Sequence, residues 1–325
     1  MAALGLGVDL GGTNARAAVV DRDSGEILAA HKESHRDRSP AAVVATVAHA
    51  VRTASRALGG GGLATSGLAA PGVGVGVAGQ CLGRTGVVLN APNLGWRDVP
   101  FGALLEAELG AKVRIANDLA VAAWGEQHFG AARGLANAVL VFVGSGLGSG
   151  LILGGRLHDG NRGVAGELGH VKVRPLRPAT PLRRCGCGEW GCLEAYTSGV
   201  NVAARVREEL AAGAISQVRD LVAGDLSRVN ASVVDAAHAA GDAYARELWE
   251  EVADLLGKAL ANVVTLLNPA RLILGGGVIL GCPVLHRLVR EVFAAKVSRS
   301  AAVDFSLERA FLGDDAGVIG AALLE

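Results

Sequence analysis

The sequence predicts an α/β protein built as two domains. Three observations carry that reading. Strand-like runs ending in glycine turns recur along the chain, amphipathic stretches with apolar residues three and four apart lie between them, and 325 residues suffice for two cores. Two strand–turn–strand units, at 4–30 and 138–157, further suggest two similar halves.

In chain order, LGLGVDLGGTNARAAVV, DRDSG and EILAA read as a strand, a turn and a second strand over residues 4–30. Inside the first run, Asp9, Gly11, Gly12, Thr13 and Asn14 make a turn suited to a polyphosphate. Amides unshielded by a Cβ, a hydroxyl and a side-chain amide can approach phosphate, and Asp9 suits a Mg²⁺ shell. The same letters also fit a glycine-rich hairpin. Residues 40–58 have helical spacing, ended by GGGG at 59–62, and GLAAPGVGVGVAG (67–79) is a buried strand turning at Gly79. GVVLNAPNLGW (86–96) is polar and punctuated by Gly and Pro, so Asn90, Asn93, Gly95 and Trp96 are expected in a loop. Amides beside an aromatic suit sugar hydroxyls, although they also form ordinary turns.

FGALLEAELG (101–110) reads as a helix leading to the strand KVRIAND, whose end sets Asn117 and Asp118 at the start of the next helix. Asp118 there fits a helix cap; it equally fits the carboxyl end of a strand, where open α/β sheets place ligands. AVLVFVG then enters GSGLGSG (144–150), a second phosphate-sized turn with Gly144, Ser145 and Gly146. It opens a strand rather than a helix, which argues against a dinucleotide-binding Rossmann unit.

The most specific stretch is GVAGELGHVKVRPLRPATPLRRCGCGEWGCLEAY, residues 163–196. Cys185, Cys187 and Cys192 fall within eight residues, with His170 upstream. Three thiolates and one imidazole satisfy tetrahedral Zn²⁺; the alternative is a set of ordinary buried thiols. With no open position such an ion braces a site rather than doing chemistry. Glu167 lies one turn from His170 if GELGH is helical, and Glu194 follows Cys192 by two residues, so the metal would also set both carboxylates.

Residues 200–267 are mostly helical by spacing, ending at Asn268 and Pro269. RLILGGGVI is a buried strand running into Gly275, Gly276 and Gly277, either a seat for a base or ribose or a tight strand-to-helix turn. The closing LGDDAGVIGAALL places Gly317 and Gly320 on one helix face, which implies close helix packing.

Composition narrows the partners. Lys plus Arg and Asp plus Glu are 31 each, which offers nothing for nucleic acid or an anionic membrane. The uncharged run Ala138 to Gly155 is broken by glycines and serines, so it is not a membrane helix. No signal peptide is visible, and thiols grouped for a metal fit a reducing compartment, so a cytoplasmic location is expected. The 47 glycines are expected to build several binding loops.

With DLGGTNAR, APNLGW, IAND, GSGLGSG, GELGH, CGCGEWGCLE, LILGGG and LGDDAGVIGAA in hand, the chain closely resembles the ROK family of bacterial sugar kinases and related repressors, and within it the ATP-dependent glucokinases. The resemblance implies an actin-like, hexokinase-like ATPase fold: a small α/β domain (1–116 plus a C-terminal helix at about 312–325), a large α/β domain (117–311) with the zinc turn, and a cleft between them. It makes Asp118 the catalytic base. It gives the sugar Gly79, Asn93, Asn117, Asp118, Glu167, His170 and Glu194. It gives the nucleotide and its Mg²⁺ Asp9, Gly11, Gly12, Thr13, Asn14, Gly144, Ser145, Gly146, Gly275, Gly276 and Gly277. The zinc ligands would be His170, Cys185, Cys187 and Cys192, and a homodimer or homotetramer is implied. Phosphorylation of glucose by ATP is the expected activity. Another hexose (N-acetylmannosamine, N-acetylglucosamine or fructose), polyphosphate as donor, and a sugar-responsive repressor are the alternatives. Ala120 stands where the family often has a second asparagine, and Ser145 where it has threonine. The loop from His170 to Cys185, with Pro175, Pro178 and Pro181, is about five residues longer than usual, at little cost in closure entropy.

Overall fold

The computed structural model describes residues 3–58, 72–176 and 180–324. The glycine run 59–62, the start of the strand expected from 67, and Pro178 lie outside the described residues. In chain order the elements are β1 (Leu4–Leu10), β2 (Asn14–Asp21), β3 (Ile27–Ser34), α1 (Pro40–Arg56), β4 (Val73–Val77), β5 (Gln80–Leu82), β6 (Val87–Ala91) and β7 (Trp96–Val99). Then come α2 (Phe101–Leu109), β8 (Val113–Asn117), α3 (Asp118–Phe129), β9 (Ala138–Val143), β10 (Leu147–Leu153) and β11 (Arg156–Leu157). The remainder is α4 (Glu194–Thr197), α5 (Gly199–Ala211), α6 (Val218–Leu221), α7 (Ala231–Ala239), α8 (Ala243–Leu267), β12 (Arg271–Gly275), α9 (Gly277–Gly281), α10 (Pro283–Lys296), β13 (Ser306–Arg309) and α11 (Ala316–Ala322). Two five-stranded sheets, ordered β3-β2-β1-β4-β8 and β11-β10-β9-β12-β13, and a three-stranded sheet β5-β6-β7 give the mixed α/β fold expected of the sequence. No helix among the described residues is long and apolar enough to cross a membrane.

The chain divides into two compact units. One comprises Met1–Leu140, Gly150–Gly166 and Ala310–Glu325, the other Val141–Ser149 and Glu167–Arg309. The boundary expected at 116/117 falls inside the first unit, because α3 packs on α11 there.

In the first unit, strand periodicity sorts residues to two faces. Ala15, Ala17 and Val19 of β2 join the core with Val43, Val47 and Val51 of α1, while Ala18 and Val20 meet Val318, Ile319 and Ala322 of α11. β1 runs antiparallel to β2 and parallel to β4, which is parallel to β8. Every residue of β4 is buried, as a strand covered on both faces should be. Glycines let α11 lie directly on this sheet. A Cβ at Gly7 would stand 2.0 Å from the Val318 carbonyl oxygen, and one at Gly74 1.8 Å from that of Ala321. The expected close helix packing is present at Gly320, where a Cβ would be 1.7 Å from the Val121 carbonyl oxygen of α3. Gly317 instead faces Asp9, where a Cβ would stand 3.4 Å from the carboxyl carbon. Many glycines thus serve element packing rather than the binding loops expected of them. Glu126, fully buried in α3, accepts from the amides of Phe311 and Leu312 (2.8 Å each) through Oε1 and from Ala131 (2.6 Å) through Oε2, tying the return of the chain to this helix.

In the second unit, α8 begins at an Asp242 cap that accepts from the Ala245 amide and ends at Asn268 in a left-handed conformation (φ 44°), directly before Pro269. Trp249 is buried and donates to Asp235, which also accepts from Val284 and Leu285 and so joins α7, α8 and α10. The long loop before the cysteines is anchored: Thr180 donates to buried Glu251, itself paired with Arg205, and the Arg183 amide donates to the Tyr196 hydroxyl.

Three local expectations need correction. Residues 4–30 hold three strands, since the turn at 11–13 is itself a reversal. Residues 86–96 are largely sheet: β6 pairs with β5 and β7, leaving Gly86 and the 92–95 turn irregular. Trp96, expected beside sugar, is 3% exposed, packs on Phe101 and donates to the Arg38 carbonyl at 2.6 Å. Glycine and proline there mark a hairpin rather than a loop. The glycine turn after β9 spans only 144–146, because β10 begins at Leu147.

Candidate active site and metal centre

Three parallel strands of the first unit end at one level: Asp9 pairs with Gly76 and Gly76 with Ala116, while Val77 pairs with Asn117. Their carboxyl tips carry the predicted residues. Asn117 caps α3, its Oδ1 accepting from the amides of Leu119 (2.9 Å) and Ala120 (3.1 Å), while its Nδ2 donates to the Gly79 carbonyl at 3.1 Å. Asp118 is therefore the first helical residue, not the cap, and its Oδ1 accepts from the Leu119 amide at 3.0 Å. Gly79 has no room for a side chain: a Cβ would lie 2.6 Å from the Asn90 carbonyl oxygen.

The turn after β1 closes through Gly11 N–H to the Asn14 carbonyl (2.9 Å), and a Cβ at Gly12 would be 2.8 Å from that of Asn93. The expected phosphate turn and the expected sugar asparagine thus touch. Asn14 is turned the other way, donating to Thr13 Oγ1 and accepting from Ser34. Burial pushes the Asp9 carboxyl above its usual value, Arg16 pulls it back, Asp314 raises it and Lys32 lowers it. Arg16 is itself held by Asp315 at 2.6 Å and by the Asp314 carbonyl at 3.2 Å.

In the second unit the other two glycine turns come together. Gly144 N–H donates to the Gly146 carbonyl, its own carbonyl accepts from Gly199, and a Cβ on Gly144 would be 3.9 Å from the Gly277 nitrogen. Gly276 has φ 93° and would place a Cβ 2.6 Å from the Val143 carbonyl oxygen, so both backbone shape and space demand glycine. Glu194 reaches the Ser145 turn, Oε2 accepting from the Leu147 amide at 2.9 Å.

His170 ends a 3₁₀ turn (Leu168–His170) preceded by Glu167, and the two side chains face each other at 3.5 Å through Nε2. The other ring nitrogen, Nδ1, lies 3.8 Å from Cys185 Sγ, and Cys187 and Cys192 Sγ are 3.7 Å apart. One donor atom from each of these four residues lies within 4.8 Å of the others. Zn–S bonds of about 2.3 Å at the tetrahedral angle put sulfurs about 3.8 Å apart, so the donor set fits such an ion. Burial pushes the Cys185 thiol up to about 12, so a cation is what would displace its proton. Glu194 Oε1 lies 3.7 Å from Cys185 Sγ, linking the cluster to the glycine turn. Sequence reasoning missed Lys172, whose ammonium is 3.0 Å from Cys192 Sγ and paired with Glu189. The hydrogen bond to Glu189, then that to Cys192, holds its proton more tightly than usual. The signal was the alternation from His170 to Lys172, which runs antiparallel to Cys192 as an isolated bridge.

The model of the ROK family matches residues 5–325. The chain is 34% identical over 323 residues to a glucokinase of Halalkalibacterium halodurans, covering 98% of this chain and 94% of that one. It superposes on a ROK family glucokinase from Streptomyces griseus, solved with glucose and AMPPNP, with TM-score 0.77, 32% identity and 98% coverage of both chains. It also superposes on a ROK family transcriptional regulator, a homologue of the Escherichia coli MLC protein, with TM-score 0.80 and 25% identity over 98% of this chain and 77% of that one.

Proposed function

The chain belongs to the ROK family, and we propose that within it the protein is a sugar kinase that transfers the γ-phosphoryl group of ATP to the 6-hydroxyl of glucose. The observation that carries this reading is the tie from Asn117 to the Gly79 carbonyl, which holds Asp118 at the tip of β8 where an acceptor hydroxyl can be met.

Phosphoryl transfer leaves the protein mainly positioning and charge neutralisation. Asp118 takes the proton of the attacking hydroxyl as the oxygen bonds to the γ-phosphorus and the bond to the ADP leaving oxygen breaks. Asn93 and Asn117 orient sugar hydroxyls, with Gly79 beside them holding Asn117 through its carbonyl. Glu167, His170 and Glu194 hold the anomeric edge of the ring. The turns Gly11–Gly12–Thr13 and Gly144–Ser145–Gly146, closed by the Gly11 and Gly144 amides, offer the phosphates their remaining amides and two hydroxyls, and Gly275–Gly277 seat the nucleoside, with open space where a Cβ on Gly277 would stand. Asp9 is the carboxylate suited to Mg²⁺, which would neutralise phosphate charge. His170, Cys185, Cys187 and Cys192 would hold a Zn²⁺ that braces Glu167 and Glu194 and performs no step of the reaction.

A coupled assay over glucose, fructose, N-acetylglucosamine and N-acetylmannosamine, each with ATP and with polyphosphate, tests the reading. Glucose with ATP should give the highest kcat/KM. Preference for an N-acetyl sugar or for polyphosphate would replace that part of it, and no turnover with any pair would favour a sugar-responsive regulator.

A further inference from the structure

A second group of metal donors lies outside the residues assigned to sugar, nucleotide or zinc. On the edge strand β3, residues alternate between half-buried and exposed, and His31 and Glu33 share with Ala29 the side that packs against α1. Their cross-strand partners on β2 are Ala17 and Ala15, both fully buried and too short to fill the space above them. His49 comes from α1. His31 Nε2 lies 2.9 Å from Glu33 Oε2, and His49 Nε2 lies 3.6 Å from the same oxygen. The rings meet edge to face with centroids 5.9 Å apart, and one donor atom from each of the three residues falls within 4.8 Å of the others.

Hydrogen bonding accounts for only part of this. His31 and Glu33 make an ordinary pair, but 3.6 Å is beyond hydrogen-bond reach, so only charge attraction, and that only with a protonated ring, joins His49 to the same oxygen. The Thr53 hydroxyl, 3.5 Å from His49 Nε2, is a marginal partner one turn along the helix and free to rotate. Bonds of about 2.1 Å from nitrogen and oxygen to a tetrahedral ion set donors roughly 3.4 Å apart, a value that 2.9 and 3.6 Å bracket.

We propose that His31, Glu33 and His49 form a metal site for a borderline divalent transition ion, Zn²⁺, Ni²⁺ or Co²⁺, with water completing its coordination. Two imidazoles and a carboxylate select such ions over Mg²⁺ or Ca²⁺, and the absence of sulfur separates the site chemically from the cysteine cluster. The ion joins the edge strand to α1, and the site does not depend on the kinase reading.

The test uses the untagged, full-length protein carrying one equivalent of Zn²⁺ per chain, enough for the cysteine cluster alone, dialysed against increasing Co²⁺. One Co²⁺ should bind per chain with weak visible bands and no thiolate charge-transfer band. His49→Ala, at a side chain 63% exposed, should fold normally and bind that Co²⁺ at least roughly tenfold more weakly, as should Glu33→Gln. His158→Ala, outside the set, should bind as the parent does. Equal Co²⁺ binding by the parent and by His49→Ala overturns the proposal, as does a thiolate band, which places the ion in the cysteine cluster.

Discussion

Nδ1 of His170 stands 3.8 Å from the sulfur of Cys185, and this leaves Nε2 of the same ring 3.5 Å from Glu167. One imidazole therefore faces two ways, toward the thiols with one nitrogen and toward a carboxylate with the other. A metal on Nδ1 would fix the ring, and a fixed ring fixes the carboxylate's partner. This is how a closed, non-catalytic ion can matter to turnover.

Cys187 is exposed and its sulfur meets the other thiols of the cluster, so its replacement by serine disturbs little besides the metal set. Cys187→Ser should abolish the thiolate charge-transfer absorption of the Co²⁺-substituted cluster. It should also lower the melting temperature, since structural zinc contributes roughly 10 kcal/mol of local folding free energy. Glucose kcat/KM should fall as Glu167 and Glu194 loosen. An unchanged absorption and melting curve would remove the metal from the account.

Glu126 accepts three backbone amides with no exposure to water. In Glu126→Gln one acceptor oxygen becomes an NH₂ facing N–H donors, a loss of about 2–3 kcal/mol by urea unfolding. A loss under about 0.5 kcal/mol, the scatter of a surface substitution, would mean the return of α11 is held elsewhere.

Gly320→Ala forces a methyl group into the carbonyl of Val121, where 1.7 Å separates the two positions. The helices must part, so destabilisation of about 1–3 kcal/mol or more is expected. Gly110→Ala serves as the comparison for a glycine with nothing near its Cβ but a left-handed φ of 66°. Its cost should be smaller and purely conformational, and the reverse ranking would argue against close helix packing.

Burial raises the Asp9 carboxyl, so its charged form costs folding free energy. The sign follows from linkage: the cost is absent below the unfolded value of 3.8, grows as pH rises toward the folded value and is complete above it. Asp9→Asn should therefore melt higher than the parent at pH 7, with the gain shrinking as pH is lowered toward 3.8, while its Mg²⁺-dependent turnover drops. A variant less stable at pH 7 would show that the carboxylate is held by partners rather than tolerated for function.

Much of this was legible because the chemistry is local. The cysteine cluster announces itself by spacing, and Asn117 and Asp118 by following an apolar strand. What was not legible depends on partners distant in sequence. GVVLNAPNLGW shows turn formers, but whether the flanking residues are strand is decided by pairing with Gln80–Leu82 and by burial of Trp96 on Phe101. Gly5, Gly7 and Gly74 fall in stretches read as strands, but why they are glycine shows only when α11 is laid across them from the far end of the chain. His31 and Glu33 reveal nothing until α1 brings His49 beside them.

The central claim is that Asp118 removes the proton from a sugar hydroxyl, and steady-state turnover of Asp118→Asn with glucose and ATP tests it most directly. The account predicts a loss of about a hundredfold or more in kcat with glucose still bound, since asparagine preserves shape but is no base. A variant that turns over glucose at near the parent rate would contradict it.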